Sequence, residues 1–595
     1  MVSMVWSRTN LKQTIGQGTL CESSGGATLF PLGVIQDTDP TEASGRSLTR
    51  GRAGRAEKKA TSMTSQDLTG SNEFVEVPVD SGHKLKTGAI GMVAVLFMAT
   101  ANAAPITAMS ANTPIAVGYG NGLAAPGGFL FATIVLTLFA VGFVAMARHV
   151  TTTGAFYGFI SHGLGQVWGM AAGLVATLAY VVFEGSLIGV FSYFTQSTLD
   201  SWFGFSPNWF LLAVIGIVLI ALFGHYDINI AAAFLGICLV CEVLLLAVMA
   251  FTVLFHGGGD DGLMSGAINP VNAFKSLSEG GNMPGSSASL GASVDGTTVA
   301  AGSAAIGVFF AFWSWVGFET TAVYGEESRD PKRIVPPATM IAVVGLGIFY
   351  TFVSWMAISG TGAKESIETS AGGNPVDLMK GSFEQYLGHP STYVFDFLIV
   401  TGSFACALAF HNAASRYIYA IGREIPSLQN NLGATHKVHA SPHVASATQS
   451  LITLVITILF WAKMGNDVVQ AAYIYEYGVL AVLGTMAILL VQALCSVAVI
   501  WYFQVKKVHP GNIITTGIIP ALGAVGMLYV CYLLFSNLSF AGGGASESLL
   551  YKLIPYIVGA TFVLGLVFML LLKKRDPEQY QRIGRTVLED AHERV

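Results

Sequence analysis

The sequence predicts an all-α polytopic membrane protein with twelve transmembrane helices. Of its 595 residues, 53% are hydrophobic and only 11% are charged, whereas a soluble domain carries about 25% charged residues. A water-soluble globule of this length could not cover its surface with so few charges. The composition therefore excludes an ordinary soluble enzyme, a nucleic-acid-binding protein and a disordered chain.

The apolar residues fall into runs that are long enough to cross a bilayer, for which a helix needs about 20 residues. No series of about 10-residue segments alternates apolar and polar residues, as the strands of an outer-membrane barrel would. Polar residues or Gly/Pro clusters separate the runs. We number the predicted spans 1 to 12 in chain order: 88–117, 126–147, 166–197, 208–225, 229–256, 303–327, 336–360, 392–421, 443–463, 473–503, 512–536 and 551–572.

Lysine and arginine are concentrated in the loops on one side of the predicted bundle. By the positive-inside rule this side is cytoplasmic, so both termini are predicted to lie in the cytoplasm. The Gly- and Ser-rich stretch 257–302 is then a flexible outer loop. We divide the chain into a disordered N-terminal tail (1–83), a ten-helix core (84–505), two accessory transmembrane helices (506–572) and a C-terminal tail (573–595).

The first 62 residues are rich in Gly, Ser, Thr and Arg. Their best apolar stretch, 29–35, contains Pro and Gly and is too short for a signal peptide. The segment is interpreted as a disordered extension that precedes a start at Met63, with a regulatory cytoplasmic arm as the alternative.

Two predicted spans contain residues that interrupt a helix. In span 1, Pro105 lies deep in the apolar run, where a proline removes a backbone hydrogen bond and clashes with the preceding turn. In span 6, Ser314 and Gly317 interrupt an aromatic-rich helix, and Glu319 follows them. Within a bilayer a freed carbonyl must face protein, water or a ligand. For span 1 alone, a proline kink satisfied by Ser or Thr is an equal alternative.

The two interruptions occupy matching places in the chain. Spans 1 and 6 each begin a group of five spans and are interrupted about midway, as expected of a transporter with inverted repeats and a substrate site at the breaks. The N-termini of half-helices offer N–H groups to a carboxylate, and their C-termini offer carbonyls to an amine or cation. One pair of breaks can therefore bind a zwitterion.

Three carboxyl groups lie near the middle of predicted spans: Glu184, Glu242 and Glu319. An acidic side chain at this depth costs about 2.5–3.5 kcal/mol, which favours a functional role. We expect these carboxyls, which have no lysine at a comparable depth, to carry protons or to face a cationic substrate. A protonated glutamate that donates to a neighbouring helix is the structural alternative. His411 of span 8 is expected to join helices rather than to bind a ligand.

Three segments match a known family pattern. AFWSWVGFE (311–319) is aromatic-rich and contains Gly-aromatic-Glu, and EESRDPKRIVPPA (326–338) contains Glu-Glu, Pro-Lys-Arg and a further proline. With these segments the chain resembles the amino acid–polyamine–organocation (APC) superfamily of permeases, and FACALAFHNAASRYIYAIGRE (404–424) is similar to its amino acid permease branch. The resemblance covers 84–505 well and the last two spans loosely. It implies a five-plus-five inverted-repeat core of the LeuT type, two accessory helices, and uptake or exchange of an amino acid or related amine by alternating access.

The resemblance also implies roles for individual residues. Trp313 corresponds to an aromatic residue that caps the substrate in arginine/agmatine-type exchangers, and Glu319 to an acidic residue that couples the site to the cytoplasmic gate. Glu242 and Glu184 are the other candidates for coupling or gating. The candidate substrate-binding residues are the unwound parts of spans 1 and 6: Ala104, Pro105, Ile106, Thr107, Ala108, Trp313, Ser314, Trp315, Val316 and Gly317.

Two positions depart from the family pattern. The usual G-x-G of span 1 is replaced by a stretch that contains Ala104, Pro105 and Thr107, which weakens the case for a close approach of the substrate to the backbone. Proton-coupled relatives often have a lysine in span 5 where this chain has Glu242. We therefore hypothesise that a carboxyl group, rather than an amine, performs the coupling.

The predicted function is that of a secondary active transporter for an amino acid in the plasma membrane, with the proton as coupling ion. The alternative is a polyamine or other cationic-amine importer or exchanger of the same fold. A membrane-embedded enzyme would need a nucleophile–base pair or a metal cluster, and a channel would need a charge ring or a filter-like repeat; the sequence contains none of these.

We expect no cofactor, no metal site and no nucleic-acid partner. The C-x-x-C pair Cys238 and Cys241 lies in an apolar span without other Cys or His ligands, and we interpret it as helix packing. The expected partners are the lipid bilayer and a small-molecule substrate, an amino acid or amine.

Overall fold

The computed structural model describes residues 85, 88–225, 228–275, 293–294, 297–298, 303–372, 376–436, 439–538 and 548–583. All of them belong to the unit Val77–Val595. The predicted tail 1–83 and much of the predicted outer loop 257–302 lie outside the described residues. The proposed division of the chain into tails, core and accessory helices stays a prediction.

The prediction of an all-helical, polytopic membrane protein is confirmed. Within the described part of the chain, ten helices are long and apolar enough to cross a membrane, and they correspond to spans 1–3, 5 and 7–12. Their bounds are Met92–Gly120, Gly122–Ala147, Gln166–Phe203, Ala233–His256, Pro331–Thr361, Pro390–Glu424, His443–Met464, Val468–Val505, Ile514–Ser536 and Leu549–Arg575.

The two remaining predicted spans are shorter helices. Span 4 is the helix Trp209–His225, and its apolar part is Trp209–Gly224. Span 6 is the ten-residue helix Ala304–Trp313, after which the chain turns and forms the 3-10 helix Phe318–Thr321. A count of twelve spans and the inverted repeat therefore stay predictions.

Several spans consist of consecutive helices. Span 1 contains Met92–Ala103, Pro105–Ile115 and the π-helix Ala116–Gly120; span 2 contains the 3-10 helix Gly122–Ala124 and Ala125–Ala147. The complete helix of span 5 is Ile228–His256. Span 10 begins with the π-helix Val468–Val479, continues as the α-helix Leu480–Ile500 and ends with the π-helix Trp501–Val505. Span 11 consists of the π-helix Ile514–Ile518 and the α-helix Ile519–Ser536.

Shorter elements connect the spans. The helices are Ala155–Leu164, Ala363–Gly372, Asp377–Leu387, Pro426–Gln429 and Pro577–Arg582, and the 3-10 helices are Ser265–Ile268 and Asn272–Phe274. The two-residue strands Ser293–Val294 and Thr297–Thr298 pair antiparallel.

Local sequence signals determine where several helices begin and end. The side chains of Asp467 and Ser548 accept hydrogen bonds from the N–H groups of the third residue that follows each, at 3.0 and 3.2 Å, as N-capping residues do. Gly465 ends span 9 with a φ of 76°, which glycine adopts without steric cost. The last turn of span 12 carries Lys573–Arg575, whose charges complement the negative end of the helix dipole.

Span 3 lies at the centre of the bundle and packs against spans 8, 10 and 12. Its middle is buried around Glu184, whereas the outer helices expose large apolar side chains such as Leu211, Leu244, Leu459 and Leu564. Because lipid tails are apolar, such an outward-facing apolar surface is what a bilayer requires.

Two buried ion pairs join the end of span 6 to span 8. Arg416 donates to both carboxyl oxygens of Glu327, from Nε at 2.6 Å and from Nη2 at 2.9 Å. Arg423 binds Glu326 in the same two-pronged way at 2.6 and 3.0 Å. We call the end of the bundle that contains these pairs the ion-pair face; by the charge rule it is the predicted cytoplasmic side.

The surroundings of Glu326 stabilise its charged form. The Arg423 guanidinium donates to both oxygens of this carboxyl, and the Thr153 N–H donates to its Oε1 at 2.9 Å. Glu326 and Glu327 therefore each bind one arginine of span 8, and Glu326 also binds the backbone at Thr153. These contacts connect the end of span 6, span 8 and the segment that follows span 2 at the ion-pair face.

We expect Arg416→Ala to lower the free energy of unfolding by about 3–5 kcal/mol, because it leaves Glu327 as an unpaired buried charge. The melting temperature of the detergent-purified protein measures this loss. Arg333→Ala is the control: Arg333 is 88% exposed and lies 3.6 Å from Asp330, and exposed pairs contribute little. The apolar double variant Glu327→Leu/Arg416→Met should recover most of the loss. A single variant as stable as wild type would contradict this interpretation.

Candidate functional site

Span 1 breaks at Ala104. The helix Met92–Ala103 ends there, and the next helix begins with Pro105 at its first position. Ala104 has a φ of 37° and a ψ of 80°, a left-handed conformation that costs a residue with a β-carbon about 1–2 kcal/mol. The proline explains the position of the break, because the residue before a proline avoids the helical region. The predicted interruption of span 1 is therefore confirmed as a separation into two helices.

Side chains from distant spans satisfy the backbone groups that this break releases. The Tyr350 hydroxyl donates to the carbonyl of Ala103 at 2.7 Å, and the Cys406 thiol donates to the carbonyl of Asn102 at 3.2 Å. The N–H of Ile106 donates to Glu242 Oε2 at 3.2 Å. Side chains thus satisfy the backbone groups of the break, as an unpaired backbone group within the membrane would be costly.

Span 6 breaks over four residues. After the helix Ala304–Trp313 the chain turns through Gly317, whose φ is 116°. The carboxyl group of Glu319 holds this turn: its Oε2 accepts from the Gly317 N–H at 3.0 Å, and its Oε1 accepts from the Tyr180 hydroxyl at 2.8 Å. The predicted interruption of span 6 is confirmed, and Glu319 belongs to the break itself.

The two breaks touch. A β-carbon placed on Gly317 would lie 2.2 Å from the β-carbon of Asn102, so that only glycine permits this approach. The Asn102 amide donates to the Thr320 hydroxyl at 3.0 Å, and the Asn112 amide donates to the Ser314 hydroxyl at 2.9 Å. These contacts join the residues that flank each break across more than 200 positions of sequence.

Tyr477 of span 10 connects to both broken helices. The Trp313 indole N–H donates to the Tyr477 hydroxyl at 3.0 Å, and this hydroxyl donates to the side-chain oxygen of Asn112. On its other side Trp313 stacks on Phe183 of span 3, with ring centroids 4.5 Å apart. Trp313 therefore has a defined orientation between spans 3 and 10.

A small cavity of about 20 Å³, room for about one water molecule, lies between the breaks, so a larger ligand requires the breaks to move apart. The hydroxyl of Thr107 is buried and has no hydrogen-bond partner among the described residues. A buried polar group in that state indicates room for a ligand or water. The lining contains no ionisable acid or base other than a thiol and a phenol; it consists of Asn102, Ala103, Ala104, Thr107, Ala108, Asn112, Leu187, Trp313, Ser314, Cys406 and Tyr477.

The structure places half of the ten predicted substrate-binding residues at this cavity: Ala104, Thr107, Ala108, Trp313 and Ser314. The other five are close by but outside the lining. Trp315 points to span 7, where its indole N–H donates to the Val343 carbonyl at 3.2 Å. Pro105, Ile106, Val316 and Gly317 form the backbone of the breaks and are buried.

Sequence reasoning missed the lining residues that come from other helices, among them Leu187, Cys406 and Tyr477. It also missed Asn112, which lies one turn beyond the region that the family likeness had assigned. A signal was present for Tyr477, because the segment Tyr473–Tyr477 places a glutamate and three tyrosines in an otherwise apolar span.

The three carboxyl groups singled out in the sequence have different environments. Glu242 and Glu319 each accept from a backbone N–H at a break, and Gly402 leaves the room that Glu242 occupies. Glu184 lies 3.0 Å from Nδ1 of His411, whose Nε2 lies 2.8 Å from the Ser446 hydroxyl. His411 thus gives Glu184 a partner from span 8 that the sequence did not reveal, and it joins spans 3, 8 and 9.

Comparison with known proteins agrees with this architecture. The family model described as amino acid permease matches residues 90–568, which include both breaks and the ion-pair face. No curated protein sequence matches the chain. Broken helices that meet in the membrane interior are the arrangement by which transporters of this kind place a site near the bilayer midplane. The chain belongs to the amino acid permease family of the APC superfamily, and it is a multi-pass membrane protein.

Proposed function

We propose that this permease moves an amino acid across the plasma membrane by alternating access, with both termini in the cytoplasm and with the proton as coupling ion. The observation that carries the proposal is the cavity between the two breaks, to which each broken helix contributes side chains and backbone. Half-helix ends supply N–H and carbonyl groups of opposite polarity, which suits a zwitterion.

The residues proposed to bind the substrate are those of the two breaks. Thr107 offers a hydroxyl that lacks a partner within the described structure, and Trp313 offers an indole ring fixed by Tyr477 and Phe183. The Ile106 N–H already has an acceptor in Glu242. A substrate carboxylate would therefore compete with Glu242 for this donor, which connects substrate binding to the state of that carboxyl group.

Glu242, Glu319 and Glu184 are proposed to act in coupling and gating. When Glu242 takes up a proton, it becomes a weaker acceptor for the Ile106 N–H, and the beginning of the second half of span 1 is released. Glu319 bridges the span 6 break to Tyr180 of span 3, so it can transmit movement between these helices. Glu184 lies 3.0 Å from Nδ1 of His411, so it connects span 3 to span 8.

A second candidate, transport of a polyamine or other cationic amine, is favoured by a cavity at the face opposite to the ion pairs. Its lining contains more carboxylates than cations: Asp200, Glu365, Asp377, Glu384 and the single Lys380. Clefts lined by one sign of charge raise the local concentration of ions of the opposite sign. This cavity would attract a polyamine before it reaches the breaks.

We expect thermal stabilisation by amino acids to depend on Trp313. A ligand at 100 times its dissociation constant stabilises the native state by about 2.7 kcal/mol. Melting temperatures of the purified protein across a panel of amino acids, polyamines and nucleobases measure this effect. Trp313→Ala should lose the response, whereas Trp168→Ala, which removes an exposed indole that contacts Phe562, should keep it.

The panel also separates the two candidates. Stabilisation by polyamines alone would replace the amino acid proposal with the cationic-amine proposal. A Trp313→Ala variant that responds as wild type does would remove the cavity between the breaks as the binding site.

We expect Glu242→Gln to reduce the pH dependence of uptake while it preserves exchange of substrate across the membrane. The glutamine carbonyl can still accept the Ile106 N–H, so the break keeps its acceptor but loses the group that binds a proton. Uptake and counterflow in proteoliposomes as a function of pH measure both properties. Glu368→Gln removes a surface carboxyl that lies 3.6 Å from Lys364 and serves as the control. Unchanged pH-dependent uptake in Glu242→Gln would refute the role of Glu242.

A further inference from the structure

Span 10 contains a further buried carboxyl group, Glu476, which none of the assignments above uses. Its side chain is 0% exposed and lies in the π-helix Val468–Val479. Its Oε1 accepts from the Thr457 hydroxyl at 2.7 Å. Its Oε2 is buried and has no hydrogen-bond partner among the residues that the structure describes.

The environment of Glu476 differs from that of the other buried carboxyl groups. Glu242 and Glu319 accept from backbone N–H groups, and Glu184 lies beside His411. Glu476 has a single neutral donor, and within the described chain it forms no ion pair. A carboxylate in the protein interior is costly without a cation or several donors. The geometry therefore favours the protonated acid in this conformation.

The neighbour of Glu476 connects it to the cavity. Tyr477 lines the cavity and hydrogen-bonds to Trp313 and Asn112. The backbone here is a π-helix, a rare form that is frequent at functional sites. A change in the charge of Glu476 can therefore act through its neighbour Tyr477 on the aromatic residues that line the cavity.

Close packing on span 3 leaves this segment little freedom. The Ser186 hydroxyl donates to the Tyr477 carbonyl at 2.8 Å. A β-carbon on Gly189 would lie 3.1 Å from that of Glu476 and 2.6 Å from the Ala472 carbonyl oxygen. Because packed interiors transmit small displacements, a charge that appears on Glu476 must be accommodated by a shift of the span 10 backbone against span 3.

The other end of the π-helix lies at a cavity on the face opposite to the ion pairs. Val468 and Val469, its first residues, line this cavity together with Tyr193. The rings of Tyr193 and Tyr473 are 4.9 Å apart, and those of Tyr473 and Tyr477 are 5.6 Å apart. One segment of twelve residues thus extends from this outer cavity, past Glu476, to the cavity between the breaks.

We propose that Glu476 is a proton-binding site of the permease, loaded from the face opposite to the ion pairs and linked through Tyr477 to the cavity between the breaks. The step is a simple protonation: the carboxylate takes a proton from solvent at that face, becomes a neutral acid, and releases the proton to solvent at the ion-pair face after the conformational change. The proposal rests on the proposed proton-coupled transport and adds Glu476 to the carboxyl groups already proposed to act in coupling.

Infrared difference spectroscopy of the purified full-length protein between acid and alkaline pH tests the site with the proton as the only ligand. Wild type should show the carbonyl stretching band of a protonated carboxylic acid that disappears as the pH rises. Glu476→Gln should lose a component of this band, Glu476→Asp should shift it, and the Glu368→Gln control should keep it. Spectra of Glu476→Gln that superimpose on wild type would overturn the proposal, as would the absence of a titrating carboxyl band in wild type.

Transport by reconstituted protein tests the link to the substrate. With a ¹⁴C-labelled mixture of L-amino acids, Glu476→Gln should lose accumulation driven by an inward proton gradient but keep counterflow at equal pH. Counterflow also shows that the variant is folded, and Glu476→Asp should retain part of the accumulation. Accumulation by Glu476→Gln equal to wild type would overturn the proposed coupling. Absence of counterflow in wild type would instead refute amino acid transport, and the infrared titration would still decide whether Glu476 binds a proton.

Discussion

The contact between Gly317 and Asn102 is the constraint on which the candidate site depends. Because no β-carbon fits between these residues, the two broken helices approach each other more closely than intact helices with side chains could. The amides of Asn102 and Asn112 then reach Thr320 and Ser314 across the gap. The cavity is the space that remains on one side of this contact.

A broken helix in a membrane must satisfy its released backbone groups from elsewhere in the protein. In this chain Tyr350, Cys406 and Glu242 do so for span 1, and Glu319 does so for span 6. The same side chains that stabilise the breaks are therefore the ones that any movement of the breaks must disturb. This places ionisable groups in direct contact with the mobile parts of the proposed transport cycle.

Charge is distributed unevenly between the interior and the ion-pair face. At that face Glu326 and Glu327 are matched by arginines in two-pronged pairs. In the interior the carboxyl groups discussed above have hydroxyl, amide, backbone or imidazole partners. The pairs with arginine hold fixed charges, whereas groups with neutral partners can gain and lose protons at lower cost. The fold thus separates carboxylates that join helices through arginine from carboxyl groups that have no arginine or lysine partner among the contacts described above.

The amino-acid sequence by itself determined the helical membrane class, the places where spans 1 and 6 break, and the membership of the permease family. These properties depend on local composition: apolar run length, a proline, a glycine and a short motif. Only the tertiary structure decided which residues surround the cavity and which partner each buried carboxyl group has. Each of three contacts, Tyr477 with Trp313, Cys406 with Asn102 and His411 with Glu184, joins residues more than 100 positions apart. Which side of a helix faces which neighbour depends on the packing of the whole bundle. A span that is apolar on all sides has no distinct apolar face, so its sequence does not indicate this orientation.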